Sequence, residues 1–258
     1  MSRLLGEIGT LEWCRRTNGI LGRGERARFV AAAVLQSARA LPRMLTARGG
    51  GRDGPGPDPS MLTPPDTPFA RELVEACVEL DPMIVEHGYR SYLFGRALGE
   101  AEGTDCDPEA LFAATMLHDW AFMGMDELDG ECFAWAGAKE AEQVLVSSPL
   151  SESQRHDVLD AICLHLNAAV PAERGSIQHL AHDGIALDVL GMRAWELDRA
   201  GVRAAFERHP RHGFTARGEP LMRAHGQRVP GCRTAALFSA SRGKMMRASP
   251  WWRTDCEG

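Results

Sequence analysis

The stretch DPEALFAATMLHDW, from Asp107 to Trp120, runs an apolar helix directly into a histidine and an aspartate. An aspartate followed by proline is typical of a helix N-cap with proline at the first helical position. The apolar residues that follow predict a helix that is buried on most of its surface. An isolated carboxylate at the end of such a helix would be costly to bury, so we expect Asp119 to be paired or bound to a metal ion.

Three His-Asp pairs occur in the sequence, and the residues around each pair distinguish it from the others. The first ends an apolar helix, the second lies in the polar helix start SESQRHD and is predicted to be exposed, and the third lies within HLAHDGIALDV. Only the first therefore needs a special explanation. The pairs are His118-Asp119, His156-Asp157 and His182-Asp183.

The composition is that of an ordinary globular protein, with 258 residues of which 44% are hydrophobic and 25% are charged. No apolar run is long enough to span a bilayer, so no membrane association is predicted. The seven cysteines are odd in number and show no CxxC spacing. This pattern predicts reduced thiols and a cytoplasmic location, and it argues against a cysteine zinc site.

Charge is distributed unevenly along the chain. Residues 69–198 contain 7 Lys or Arg against 25 Asp or Glu, whereas residues 199–247 contain 11 against 2. The basic stretch either receives an anionic ligand or lies across the acidic body as a segment of matching charge, and we favour the second interpretation. The acidic body disfavours nucleic acid as a partner.

The pattern of glycine and proline divides the chain into four regions. We interpret residues 1–47 as an N-terminal helical extension, with one amphipathic helix over 25–41, and residues 48–68 as a Gly/Pro-rich linker or loop. Residues 69–214 form the main helical domain. Residues 215–258, rich in Pro, Gly and Arg, are predicted to be a largely irregular segment packed on that domain.

Cap signals and helical periodicity predict an all-α protein. Thr67 and Asp81, like Asp107, each precede a proline, and Ser151 with Gln154 matches a capping box. Each signal opens a stretch with helical composition. No segment alternates apolar and polar residues for long enough to predict a strand.

Four helices each direct an imidazole or a carboxylate toward the core. A single inward histidine is usually a satisfied core residue, but several that converge with carboxylates indicate a metal site inside a bundle. Imidazole nitrogen and carboxylate oxygen suit zinc or iron, with manganese as an alternative. The inward residues are His87, His118, His165 and Asp188.

The order His87, His118-Asp119, Asp188 resembles the H…HD…D pattern of the HD superfamily of metal-dependent hydrolases, which are all-helical bundles. The segments HGYRSYLFGRAL, DPEALFAATMLHDW, AWAGAKEA, AICLHLN, ALDVLG and HPRHGF follow the order and spacing of its cyanamide hydratase-like branch. The resemblance covers residues 69–214, which makes that region an HD domain. It implies that a divalent metal ion, with one ion expected, is bound by His87, His118, Asp119 and Asp188.

The resemblance also implies an enzyme in which hydroxide generated at the ion attacks a small C≡N group such as that of cyanamide. His165 is then a hydrogen-bond partner of substrate or water, an outer residue, or a ligand of a second metal together with His179 or His182. Arg90 either holds an anionic oxygen of the substrate or pairs with a carboxylate.

Other functions stay open on the sequence. The residues after the HD pair are Trp-Ala-Phe rather than Ile-Gly-Lys, which disfavours cyclic-dinucleotide phosphodiesterase activity, and the glycine common in cyanamide hydratases two positions after Asp119 is missing. The runner-up is hydrolysis of a phosphate ester or nucleotide, supported by the basic C-terminal stretch. A third reading is a non-catalytic helical scaffold or sensor. The expected partner is a small-molecule substrate, and a homo-oligomer is compatible with the sequence.

Overall fold

The described part of the chain is almost wholly helical. The computed structural model describes residues 5–46, 56–125, 127–240, 242–249 and 251. These ranges contain twelve α-helices and three 3₁₀ turns but no β-strand, and their one extended contact is an antiparallel bridge between Ile20 and Cys232. The prediction of an all-α protein is confirmed.

We number the helices in chain order. They are α1 (Leu11–Thr17), α2 (Arg23–Thr46), α3 (Pro68–Ala76), α4 (Pro82–Glu102), α5 (Pro108–Leu117), α6 (Phe133–Leu145), α7 (Glu152–Leu164), α8 (Ser176–Leu190), α9 (Arg199–Arg208), α10 (Phe214–Arg228), α11 (Arg233–Ser239) and α12 (Arg242–Ala248). The 3₁₀ turns cover Pro59–Met61, Ala172–Arg174 and Ala194–Glu196. Within the described ranges, none of the helices combines the length and apolarity that crossing a bilayer requires.

The N-cap residues predicted from the sequence lie at the starts of their helices. The side chains of Thr67, Asp81 and Asp107 accept hydrogen bonds from backbone N–H groups in the first turns of α3, α4 and α5. Ser151 and Gln154 exchange both hydrogen bonds of a capping box at the start of α7. These caps fix where α4, α5 and α7 begin, and therefore where their histidines lie.

Helices α4 and α8 pack closely through two glycines. A Cβ added at Gly184 of α8 would lie 2.1 Å from the Ser91 carbonyl oxygen of α4, and one at Gly95 of α4 would lie 2.7 Å from the Leu180 carbonyl oxygen of α8. Only a residue without a side chain permits such an approach. The contact places His87 of α4 beside the last turn of α8.

Hydrogen bonds to buried polar side chains attach residues 5–22 to the bundle. The backbone N–H of Leu11 in α1 donates to the Asp160 carboxylate of α7 at 2.8 Å, and the Asn167 side chain donates to the Ile8 carbonyl at 2.8 Å. Helix α2 extends past both ends of the predicted 25–41 and packs on α11. The described part of the N-terminal extension thus belongs to the folded body.

The described part of the Gly/Pro-rich stretch lies on the bundle as a loop. Residues 47–55 fall outside the described ranges. The backbone N–H of Asp198 donates to the Pro57 carbonyl at 3.0 Å, and the Asp58 side chain caps the turn Pro59–Met61. These contacts hold the loop next to the start of α9.

The prediction of a largely irregular C-terminal segment is wrong. Helices α10, α11 and α12 cover most of residues 214–248, and Pro220 lies inside α10. The glycine and proline content masked an apolar stripe at helical spacing, in which Phe214, Met222 and His225 are buried. The free energy gained by packing this stripe is larger than the cost of the backbone hydrogen bond that the proline removes.

Trp251 folds back onto the bundle. Its Nε1 donates to the Leu187 carbonyl of α8 at 3.2 Å, and its ring packs on Phe206 with centroids 4.7 Å apart. Trp252 lies outside the described residues. The predicted packing of the C-terminal segment on the main domain therefore holds for Trp251.

Candidate metal centre

Helix α5 carries the His-Asp pair to the centre of the bundle. The helix is buried from Ala110 to Leu117, and His118 is its C-cap residue. Asp119 follows in a turn that is closed by a hydrogen bond from the Phe122 N–H to the Asp119 carbonyl at 2.9 Å. His118 is 1% exposed and Asp119 is 4% exposed, so both polar groups lie in the interior.

His87, His118 and Asp119 bring potential ligand atoms together. One such atom from each residue lies within 4.8 Å of the other two. The Nε2 atoms of the two histidines are 3.1 Å apart, and Asp119 Oδ2 lies 3.3 Å from Nε2 of His118 and 3.8 Å from Nε2 of His87. This group could hold a metal ion, and two nitrogens with a carboxylate oxygen fit zinc, iron or manganese.

Hydrogen bonds on the outer side of each ring leave the inner nitrogens as acceptors. His118 Nδ1 donates to the Thr115 carbonyl at 2.8 Å, and His87 Nδ1 donates to Asp188 Oδ2 at 2.5 Å. A neutral imidazole has a single N–H, so both Nε2 atoms present lone pairs. Two lone pairs 3.1 Å apart beside a carboxylate repel each other unless a cation lies among them. The arrangement is therefore suited to a cation.

His165 repeats the local arrangement of His118 on another helix. It is the C-cap of α7, and its Nδ1 donates to the Ile162 carbonyl three residues back at 2.6 Å. This bond satisfies a carbonyl that the helix end leaves without a partner. Its Nε2 lies 3.7 Å from Asp119 Oδ1, whereas the other two histidines face Oδ2. The structure thus brings His165 to the site, on the second oxygen of Asp119.

Asp188 lies behind His87 rather than within the group of ligand atoms. Its oxygens also accept two hydrogen bonds from Arg90 at 2.9 Å and one from Arg211 at 2.7 Å. Burial opposes ionisation, but the two arginines outweigh it and hold the pKa of Asp188 well below its usual range. Because both oxygens are engaged, the geometry favours a role in orienting His87 over the predicted role as a ligand.

Arg90 takes the second of the two roles predicted for it, the pairing with a carboxylate. Its Nε and Nη2 donate to Asp188, and its Nη1 donates to the carbonyls of His209 and Pro210 at 2.9 and 2.8 Å. The residue is fully buried. Arg90 therefore supports the site from behind and does not face the cavity.

His179 and His182 belong to a different polar cluster. His179 places one ring nitrogen 2.9 Å from the Glu102 carboxylate, and His182 places one 2.7 Å from the Asp183 carboxylate. The second nitrogen of each ring bonds a backbone carbonyl, and Arg193 joins both carboxylates. Both nitrogens of each ring are thus engaged within this cluster, and the second-metal role suggested for the two histidines stays a prediction.

Burial and neighbouring charges shift the pKa values of His87, His165 and Asp119. It lowers the pKa of His87 and, together with the neighbouring His118, lowers the pKa of His165 to about 3. Burial opposes the ionisation of Asp119, but the surrounding histidines outweigh it and lower the pKa of Asp119 to about 2. A neutral imidazole and an ionised carboxylate are the forms that bind metal ions, so these residues are ready to bind near neutral pH.

A cavity of about 50 Å³ opens on the group. Three phenylalanines, Phe122, Phe133 and Phe214, form much of its wall, and aliphatic residues of α8 add to it. The remaining apolar lining comes from Leu166 after α7 and, on the C-terminal helices, from Met222, Leu237 and Met246. No arginine or lysine of the described residues lines this cavity.

The sequence interpretation missed Arg211 and the contribution of the C-terminal helices. Phe214 and Met222 lie on the apolar stripe of α10, a signal that a count of apolar residues at helical spacing would have found. Arg211 stands within HPRHGF, but nothing in that pattern identifies Asp188 as its partner.

Models of known protein families give no match to this chain, and a search of curated proteins gives none.

Proposed function

We propose that this chain is a metal-dependent hydrolase or hydratase of the HD superfamily that acts on a small uncharged molecule. The observation that carries the proposal is the convergence of two imidazole lone pairs and one carboxylate oxygen, from His87, His118 and Asp119, on an apolar cavity. A divalent ion bound there supplies a Lewis acid and lowers the pKa of a coordinated water molecule. The order of these residues and the all-α fold agree with the HD resemblance.

The residues around the group have separate tasks in this proposal. Asp188, held by Arg90, keeps the N–H of His87 on Nδ1 and so directs Nε2 inward. His165 offers an acceptor nitrogen to a donor on water or substrate beside Asp119. The phenylalanines of the wall exclude bulk water, which strengthens the electrostatic interactions inside.

The residues that line the cavity favour a small neutral substrate and disfavour a phosphate ester. Phosphate groups are usually held by arginine or lysine, and none of the described lining residues is either. Arg90 and Arg211, which lie behind His87, are bound to Asp188. A volume of about 50 Å³ fits a nitrile-like compound such as cyanamide. In that reaction water adds across the C≡N bond and yields an amide, or urea from cyanamide.

Metal analysis of protein purified without added metal tests the centre itself. We expect about one equivalent of zinc, iron or manganese in the wild type and its loss in His118→Ala. His156→Ala is the matched control, because His156 belongs to an exposed His-Asp pair that pairs with Glu12. Absence of metal from the wild type would overturn the proposal, as would equal loss in both variants.

Assays with defined substrates test the reaction. The metal-loaded wild type is incubated with cyanamide, with small nitriles and with p-nitrophenyl phosphate, and products are followed by mass spectrometry. Amide or urea formation that disappears in His118→Ala supports the hydratase reading. Phosphate release with two equivalents of metal would instead establish the phosphohydrolase alternative.

A further inference from the structure

Arg233, the first residue of α11, is a buried cation without a carboxylate partner. It is 0% exposed, and its Nη1 donates to the Cys163 carbonyl at 2.5 Å and to Asn167 Oδ1 at 3.5 Å. Both acceptors are uncharged, and no carboxylate of the described residues forms an ion pair with this guanidinium. The first turn of a helix is a poor place for a positive charge, because the helix dipole is positive there.

The other neighbours of the guanidinium are sulfur atoms and an aromatic ring. Its Nη2 lies 3.5 Å from Cys14 Sγ and 3.9 Å from Cys132 Sγ, and its central carbon lies 5.6 Å from the centre of the Trp13 ring. A guanidinium keeps its charge in proteins, and a buried charge without a counter-ion is costly. Among the groups in contact with Arg233, only a thiol can become an anion.

Cys132 is better placed than Cys14 to be that anion. Cys132 is the N-cap of the thirteen-residue α6, where the helix dipole favours negative charge. A hydrogen bond from Cys163 also lowers the pKa of Cys14, but Cys14 Sγ donates to the Gly9 carbonyl at 3.9 Å, a bond that needs the proton, and Cys14 does not lie at a helix N-terminus. Burial opposes the ionisation of Cys132, but Arg233 and a hydrogen bond to His225 outweigh it and lower the pKa of Cys132 to about 7.

The titratable groups around this contact come from several elements. Asp160 of α7 acts on Cys14 and Cys163 as a further negative charge. The others are Cys14 from α1, Cys163 from α7, His225 from α10, and Cys232 before α11. Arg233 is the permanent cation in contact with Cys132.

Cys132 is also one of the points at which residues 5–22 are attached. Its backbone N–H donates to the Asn18 carbonyl at 2.9 Å. Gly19, with φ of 72°, lies so close that an added Cβ would come within 2.5 Å of Cys132 Cβ. The bridge from Ile20 to Cys232 lies next along the chain. The N-terminal segment, α6 and α11 therefore meet at Arg233 and Cys132.

We propose that Arg233 and Cys132 form a buried guanidinium–thiolate ion pair that fastens residues 5–22, α6 and α11 to one another. When the thiolate takes up a proton from solvent, Arg233 loses its counter-ion and the attachment weakens. The strength of this attachment therefore depends on pH, and the ion pair lies outside the candidate metal centre.

Thiolate ultraviolet absorbance of the full-length folded protein, recorded from about pH 5 to about pH 9, tests the ion pair. We expect one thiolate to appear with a midpoint near neutrality, to vanish in Cys132→Ser, and to persist in Cys14→Ser. Cys106→Ser is the control, since burial raises the pKa of Cys106 to about 11. A wild type without thiolate below pH 8, or full absorbance in Cys132→Ser, overturns the proposal.

A second measurement does not depend on how the variants fold. The ¹³Cβ chemical shift of Cys132 in the wild-type protein reports its ionisation directly. A midpoint near neutrality confirms the pair, and a shift that stays at the thiol value up to about pH 9 overturns it. In Arg233→Met, which removes the cation, the midpoint should rise, because the hydrogen bond to His225 then opposes burial without the guanidinium.

Discussion

At the scale of single residues, the candidate metal centre depends on which nitrogen of each imidazole carries the proton. Thr115 and Ile162 fix His118 and His165 through backbone carbonyls. His87 differs, because its Nδ1 faces the Asp188 carboxylate. A carboxylate partner raises the basicity of the ligating nitrogen and holds the ring in place. We therefore expect the charge of Asp188 to affect metal binding from behind His87.

The substitution Asp188→Asn tests this indirect role. It keeps the shape of the side chain but removes the charge, so we expect metal affinity to fall by about 10- to 100-fold while binding remains measurable. The measurement is titration against a competing chelator. Asp183→Asn is the matched control, because Asp183 is also paired with a histidine and an arginine and is mostly buried, with 13% of its side chain exposed, but it lies in the other cluster. Equal losses in the two variants would contradict a specific role for Asp188.

His165 provides a second test at this scale. His165→Gln removes the nitrogen beside Asp119 Oδ1 but leaves the group of His87, His118 and Asp119 intact. We expect the metal content to stay near one equivalent while turnover falls by roughly 10²- to 10⁴-fold. Metal analysis and steady-state kinetics on the same preparation separate the outcomes. Loss of the metal would instead make His165 a ligand.

Much of the residue-scale picture could be predicted from helical faces. His87, His118 and Asp119 lie on apolar stripes or at the end of one, and the sequence shows this directly. The position of Asp188 on its helix was equally readable, but its partners were not. Arg90 lies 98 positions away and Arg211 lies 23 positions away, so their pairing is a product of tertiary packing.

At the scale of helices, the close approach of α4 and α8 sets the geometry of the site. His87 and Asp188 lie on these two helices, and the backbones meet at Gly95 and Gly184. The bundle therefore has little room for a side chain at this contact. A small change in the distance between the helices would move His87 relative to its carboxylate partner.

Gly184→Ala tests the contact between these helices. The added Cβ would lie 2.1 Å from the Ser91 carbonyl oxygen, so α8 must move, and we expect a loss of about 1 to 3 kcal/mol in unfolding free energy together with lower metal occupancy. Urea denaturation and metal analysis measure the two effects. In Gly24→Ala, where nothing lies within 4 Å, stability should stay constant or rise by up to about 1 kcal/mol. Unchanged unfolding of Gly184→Ala would contradict the close approach.

The helices also show where sequence patterns are sufficient and where they fail. The starts of α3, α4, α5 and α7 could be predicted because each cap is a local interaction between a side chain and the backbone of the next turn. Helix α10 was missed because Pro220 disfavours a helix locally. The compensating contacts come from elsewhere in the fold, including Phe122 against Gly218.

At the scale of the whole molecule, the described part of the N-terminal segment closes over the bundle instead of extending from it. Trp13 is buried, and Glu25 accepts a hydrogen bond from its indole N–H at 2.9 Å. Arg26 donates to the Pro230 carbonyl at 2.7 Å. The segment is thus held both by the bundle and by the residues that precede α11. Its attachment should respond to the charge state of Cys132.

The pH dependence of stability follows from the thiol of Cys132. Its pKa is about 7 in the folded protein, below its ordinary value of 9.0. A lowered pKa adds stability that is fully present above the ordinary value and is lost as pH falls through about 7. We expect the difference in unfolding free energy between wild type and Cys132→Ser to shrink by on the order of 2 kcal/mol from about pH 9 to about pH 6. Urea titrations at several pH values measure it, and a constant difference would contradict the assignment.

The attachment of the N-terminal segment has a consequence for the order in which the chain folds. Helical proteins usually fold fast because their contacts are close in sequence. Here the bond from Arg26 to Pro230 joins residues 204 positions apart, and the contact of Arg233 with Cys14 joins residues 219 positions apart. Forming these contacts requires closing a loop that includes most of the chain, at a cost in conformational entropy. We therefore expect the helices that lead to His87, His118 and Asp119 to be able to assemble before the two distant segments meet.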